Sequence, residues 1–113
     1  MKTTVAIIGC GRIAETAHLP ALSKLSDVKI KYVCDIIGQK ALKAKEKYGA
    51  LHAVTDYNEA LRDSEVDAVY VLTPNFAHYR ITMDALNAGK HVFCEKPITV
   101  NYPLAVEMAQ LAN

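Results

Sequence analysis

Residues 5–14 read Val5-Ala6-Ile7-Ile8-Gly9-Cys10-Gly11-Arg12-Ile13-Ala14, an apolar run that breaks into a Gly-x-Gly-x-x-Ala turn. Four consecutive apolar residues suit a parallel strand covered on both faces. Gly9 allows a tight turn, and Gly11 removes the Cβ that would bar a ligand from the backbone. Ala14 lets a following helix lie close to the strand. The amides of Arg12 and Ile13 open that helix, where unpaired N–H groups and the helix dipole favour an anion. Asp35 follows Ala14 by 21 positions, after the next apolar run. A dinucleotide needs that spacing: its pyrophosphate sits on a helix N-terminus and its adenosine ribose meets an acid at the tip of the second strand. A bare GxGxxA is weak, but strand before, helix behind and strand-end acid together make it specific.

Outward from this turn, strand and helix patterns alternate without a break. Val28 to Cys34 is the second strand, and Gln39 to Tyr48 a lysine-rich helix with Gly49 as a left-handed cap. Leu51 to Val54 is a short third strand, and Asp56 caps a small helix through Leu61. Val66 to Leu72 is a fourth strand, Asn75 or Phe76 opens a helix to Ala88, and His91 to Cys94 is a fifth strand. A last helix starts at Tyr102, capped by Asn101. The first helical pattern, from Arg12, breaks near His18 to Leu19 and restarts at Pro20, because proline disfavours the helical conformation of the residue before it. The expectation is an α/β fold: a doubly wound parallel sheet of the Rossmann kind, strand order 3-2-1-4-5, with helices on both faces.

The 113 residues make one domain at most, residues 1–113, with 51% apolar residues and a formal net charge of +1. Such a balance suggests no nucleic acid and no membrane as partner. The longest apolar stretches are strand-sized, well below the roughly 20 residues that span a bilayer, and the start, Met-Lys-Thr-Thr-Val, moves straight into a strand pattern without a small-residue cleavage site after a long apolar region. The expected location is cytoplasmic. Cys10, Cys34 and Cys94 have neither CxxC nor CxxH spacing and read as reduced structural thiols. The histidines show no metal-ligand pairing, so no metal is expected.

The candidate site lies at the carboxyl ends of the strands, where ligands of open parallel sheets bind. Asp35 should accept hydrogen bonds from the ribose hydroxyls, and a 2′-phosphate there would oppose its charge, which favours NAD over NADP. Ile36 and Ile37 either pack on the adenine or join the core, and Lys40 and Lys43 read as the solvated face of a helix. Thr73, Pro74 and Asn75 end the fourth strand, with His78 just beyond. They face the same cleft, although Asn75 also reads as a helix cap and His78 as a first-turn surface residue. Glu95 and Lys96 end the fifth strand at that edge. Lys96 either binds and protonates a substrate oxygen or makes a surface salt bridge.

GCGRIA at 9–14, Asp35, TPNFAH at 73–78 and CEKP at 94–97 together resemble the Gfo/Idh/MocA oxidoreductases, over the whole chain. The resemblance implies an N-terminal NAD(P)-binding domain paired with a larger C-terminal α/β domain. It also implies hydride transfer between nicotinamide and a hydroxyl-bearing carbon of a sugar, cyclitol or related diol. In that setting Lys96 contacts the reacting hydroxyl and assists proton transfer as the catalytic residue, while Glu95 helps position the nicotinamide. The cofactor site comprises Gly9, Gly11, Arg12, Ile13, Asp35, Ile36, Thr73, Pro74, Asn75, His78, Glu95 and Lys96. Two other readings use the same turn: a non-catalytic NAD-sensing module and a methyltransferase.

The departure from the family is length. The amphipathic pattern of Leu104, Met108 and Leu111 carries no stop signal before Asn113. It reads as a chain cut before its sixth strand and its C-terminal domain, able to bind NAD but with little or no turnover. An uncovered fifth strand would also favour a homo-oligomer.

Overall fold

A computed structural model describes residues 3–11, 19–73 and 75–94, with the backbone alone at Asn75, Phe76, His78 and Cys94. Five strands and four helices alternate along it: β1 Thr3–Ile8, α1 Leu19–Ser23, β2 Val28–Cys34, α2 Gly38–Tyr48, β3 His52–Val54, α3 Asn58–Leu61, β4 Ala68–Val71, α4 Asn75–Asn87 and β5 His91–Cys94. All strand pairs are parallel, and the sheet order is β3-β2-β1-β4-β5, as the alternation requires.

Burial follows the strand period of two. Val5 and Ile7 of β1 pack with Leu19 and Leu22 of α1 and Ala44 of α2 on one face. Ala6 and Ile8 pack with Ala60 and Leu61 of α3 and Ile81 and Ala85 of α4 on the other. β1 is therefore the apolar centre of the sheet. Ile7 has no exposed surface, so truncating it to Ala should cost about 2–5 kcal/mol.

One irregularity sits in β2. Val5 pairs with Ile30 and Ala6 with Tyr32, so Lys31 falls between two successive pairs as a bulge. Ile30 and Val33 face the α1–α2 side, whereas Tyr32 and Cys34 face the α3–α4 side. The alternation shifts by one residue at Lys31.

The local signals act as their chemistry dictates. Pro20 occupies the first turn of α1, where a missing N–H costs nothing. Gly49 closes α2 at φ 74°, with its N–H donating to Lys45 O, and Lys45 and Lys47 complement the helix dipole in the last turn. Asp56 Oδ1 accepts the Asn58 N–H at 2.9 Å and so caps α3. Tyr57 Oη donates to Asp84 Oδ2 at 2.5 Å, tying the start of α3 to α4. The fourth strand is shorter than the apolar run. Val66 is buried, yet its N–H closes a turn onto Asp63 O rather than a ladder. The third strand likewise begins at His52, where pairing with Tyr32 of β2 starts, and Leu51 stands outside that ladder. The Tyr102 helix lies outside the described residues.

Candidate functional site

The exit of β1 is a turn whose geometry only glycine permits. Gly9 adopts φ +100°, and its N–H donates to Cys34 O at 2.7 Å. A Cβ there would lie 2.7 Å from Leu72 C and 2.8 Å from both Leu72 O and Thr73 N. Those are backbone atoms at the exit of β4 and have nowhere to move. Gly9 therefore serves a turn and a close approach of two strand ends at once. At Gly11 a Cβ would meet nothing within 4 Å, so space lies open against the backbone.

Asp35 stands at the exit of β2, with its own N–H donating to Val54 O at 3.1 Å. Its Oδ2 accepts the Cys10 N–H at 2.9 Å, and its Oδ1 accepts the Ile37 N–H at 2.8 Å. The acid is thus locked to the glycine turn by a direct bond, a link that the spacing of 21 alone does not specify. Among the described residues no cation pairs with it. A carboxylate offers about four acceptor sites, so two amide donors leave capacity for further donors.

Cys10 and Cys34 are buried free thiols. Cys10 Sγ donates to Cys34 O at 3.4 Å. Burial first, and the Asp35 charge second, push both thiols up to about 12. They stay neutral and unreactive at physiological pH. The two belong to opposite faces of the sheet, which agrees with structural thiols.

A cleft of about 670 Å³ runs from the glycine turn along α2, lined by Cys10, Gly11, Leu19, Lys40, Lys43 and Lys47 among others. Lys40 and Lys43 are exposed, as their pattern predicts, but they line this cleft. The sequence held one clue, the i, i+3, i+7 spacing that puts Lys40, Lys43 and Lys47 on one helix face.

Ile36 is 89% exposed and Ile37 50%, so neither joins the core. Both stand beside the acid with apolar surface open. Thr73 is half-buried and abuts the Gly9 turn. Asn75 opens α4 and His78 lies in its first turn, at the edge where β4 ends. The structure therefore brings Gly9, Gly11, Asp35, Ile36, Thr73 and the start of α4 to one edge of the sheet. Arg12, Ile13, Pro74, Glu95 and Lys96 lie outside the described residues. Among the described residues no helix is long and apolar enough to cross a membrane.

A glycine turn bonded to a strand-end acid, on a parallel sheet of this order, defines a dinucleotide-binding domain of the Rossmann class. The pattern of the Gfo/Idh/MocA oxidoreductases, described as an oxidoreductase family with an NAD-binding Rossmann fold, matches residues 3–113, and the chain belongs to that family. The inositol 2-dehydrogenase/D-chiro-inositol 3-dehydrogenase of Lactiplantibacillus plantarum is 43% identical over 102 residues, covering 88% of this chain and 29% of the relative. The D-glucoside 3-dehydrogenase of Escherichia coli is 38% identical over 109 residues, covering 96% and 31%. Among solved structures, the 3-ketoreductase KijD10 of Actinomadura kijaniata in complex with NADP and TDP-benzene superposes with a TM-score of 0.92 at 34% identity, covering 99% of this chain and 34% of that one. The chain thus spans about a third of the length of these relatives.

Proposed function

We propose that this chain is the nucleotide-binding part of an oxidoreductase that moves a hydride between a nicotinamide dinucleotide and a hydroxyl-bearing carbon of a sugar, cyclitol or related diol. The carrying observation is the Cys10 N–H to Asp35 Oδ2 bond, which fixes the acid against the open face of the glycine turn. The residues present fit the cofactor. Gly11 leaves room for a pyrophosphate, Asp35 retains acceptor capacity for ribose hydroxyls, and Ile36 offers exposed apolar surface for a base. Arg12 and Ile13 would supply amides to the phosphates, and Thr73, Pro74, Asn75 and His78 would line the nicotinamide side.

When bound, the nicotinamide supplies the hydride acceptor or donor. The chain's own part is to orient the dinucleotide and to move a proton. Lys96 would hold the reacting hydroxyl through its ammonium or amine group and take or return its proton, with Glu95 placing the cofactor beside it. The names of the relatives, dehydrogenases of inositol and of glucosides, support a polyol or sugar substrate. Substrate contacts would come from the larger domain that such relatives carry. Buried, unpaired thiols at Cys10 and Cys34 suit a reducing, cytoplasmic setting. Among the described residues β3, three residues long, is an edge strand of the sheet, which supports assembly as a homo-oligomer.

The test is a calorimetric titration of the chain with NADH and with S-adenosylmethionine. NADH binding is expected, and preference for S-adenosylmethionine would overturn the reading. Grafted in place of the matching domain of the L. plantarum inositol dehydrogenase, the chain should support nicotinamide-dependent oxidation of polyols. Lys96→Ala in the graft should lower kcat by about a hundredfold or more. A graft that binds NADH and oxidises no polyol would favour the NAD-sensing module instead.

A further inference from the structure

We propose that the outer edge of β3 is a self-pairing surface, on which a second copy of this chain docks antiparallel about a two-fold axis through Ala53. The inference rests on the homo-oligomer reading above and gives it a surface; it is independent of the dinucleotide. Three observations carry it.

The first is the backbone. Among the described residues no strand pairs with the outer edge of β3. Val54 O accepts the Asp35 N–H at 3.1 Å, so the backbone of Val54 faces β2. Successive strand residues turn their polar groups to alternate edges, which points the N–H and C=O of Ala53 outward. Two copies meeting antiparallel at Ala53 would exchange both bonds, N–H to C=O in each direction. β3 itself reads His-Ala-Val and holds neither the lysine nor the proline that blunts an edge. Three residues are too few to hold a partner by backbone alone, so side chains must contribute.

The second is the surface beside that edge. A groove of about 500 Å³ follows β3, lined by Lys45 of α2, by Leu51, and by Glu59 and Arg62 at α3. Leu51 is 48% exposed, and so is Leu42, one turn before Lys45 on the same helix face. Both leucines hold apolar surface in water that a docked copy would cover.

The third is charge complementarity. Glu59 and Arg62 are exposed, and neither makes an ion pair among the described residues. The course of the chain fixes their order along the edge. β3 exits at Val54 into α3, which descends until Asp63 accepts Tyr32 Oη at 2.9 Å, and Tyr32 pairs with His52. Glu59 therefore lies toward the Val54 end of the groove and Arg62 toward the His52 end. A two-fold axis through Ala53, perpendicular to the sheet, exchanges those ends and keeps both copies of α3 on one face. Glu59 of each copy then faces Arg62 of the other, which gives two opposite-charge pairs from one isologous contact. Any other extended segment would have to bring an acid and a base at the same separation, and this chain already holds them.

The experiment is sedimentation velocity at low salt, with the chain at roughly 10 µM to 1 mM, a range that reveals even weak association. It compares the unaltered chain with Glu59→Arg, with Arg62→Glu and with the two combined. The unaltered chain is expected to dimerise with a Kd in the micromolar range. Each single reversal sets like charges opposite each other at both pairs and should weaken the dimer by about tenfold or more. The combined reversal should restore it to within about threefold, a rescue that a merely structural role would not produce. Both side chains are exposed, so unfolding midpoints should stay in place. Ala53→Pro should abolish the dimer and spare the β2 ladder, because the N–H it removes points outward. A dimer that the reversals do not move, or that their combination does not rescue, would overturn this surface and leave the homo-oligomer reading standing. A chain still monomeric at about 1 mM would overturn both.

Discussion

Asp35 and Asp63 begin alike and end differently. Each accepts the backbone N–H two residues ahead: Ile37 to Asp35 Oδ1 at 2.8 Å, and Glu65 to Asp63 Oδ1 at 2.9 Å. The second oxygen separates them. Asp63 Oδ2 takes Lys31 Nζ at 2.7 Å and Tyr32 Oη at 2.9 Å, while Lys90 Nζ donates to the Asp63 carbonyl at 2.8 Å. Lys31 also reaches Glu65 Oε1 at 2.6 Å. Among the described residues the Asp35 second oxygen takes only the Cys10 amide, at 2.9 Å. One carboxylate is closed by a cation and a phenol and serves as a staple between β2 and the turn before β4. Among the described residues the other is oriented by backbone alone, and two amide donors leave acceptor capacity on it. The same local turn thus makes a joint in one place and a binding position in another, and its tertiary neighbours decide which.

Substitutions at four positions test that contrast. The largest effect is expected at Gly9→Ala, where a positive φ and backbone atoms at 2.7–2.8 Å leave no room. About 3 kcal/mol of stability should be lost in urea unfolding, together with NADH binding. An unchanged unfolding midpoint would contradict the close approach of β1 and β4.

The two acids should then separate cleanly. Asp63→Ala should cost about 1–3 kcal/mol of stability, because it leaves hydrogen-bond donors without their acceptor, and should leave NADH affinity alone. Asp35→Ala should weaken NADH by about ten- to a hundredfold, at roughly 1 kcal/mol in stability. A loss of NADH affinity in the Asp63 variant as large as in the Asp35 variant would break the comparison.

A pH series sharpens it. The hydrogen bond from Lys31, ahead of the Glu65 amide, holds the Asp63 carboxyl down to about 2 from its ordinary 3.8. The folded chain binds that proton less tightly than the unfolded one, so the contribution is full above about pH 4 and is lost as pH falls toward 2. Asp63→Asn should remove that part of the acid slope, and identical slopes in both proteins would refute the staple. The smallest effect is expected at Ile36→Ser. With the side chain 89% exposed, stability should move by less than about 0.5 kcal/mol, while NADH weakens by about two- to threefold through lost contact with the base. A thermal melt and a titration on one preparation check both.

Much of this was legible along the chain because it is local. Val5 to Ile8 announces a strand, Gly49 stops α2, Asp56 caps α3, and alternation of strands and helices fixes the order of the sheet. Gly9, Gly11 and Asp35 were readable because ligand geometry dictates their spacing. The contacts across long separations were not. Lys31, Tyr32 and Lys90 are 27 to 32 residues from Asp63, and nothing in their neighbourhoods points to it. The Cys10 amide carries no side-chain signal at all. Val66 illustrates the opposite error: apolar and buried, it belongs to a turn, since burial and strand pairing are separate conditions.

The bulge at Lys31 has a consequence for how such chains are counted. Val28, Ile30, Tyr32 and Cys34 read on paper as one face of a strand, yet the first two and the last two lie on opposite faces. A chain lacking Lys31 would present the same faces, and the same acid, to the same glycine turn. The separation of 21 between Ala14 and Asp35 therefore contains one residue of slack, taken up out of the ladder. A search that insists on a fixed interval would discard sequences that build an identical site. The spare residue is also the one that binds Asp63, so the slack and the staple are a single insertion.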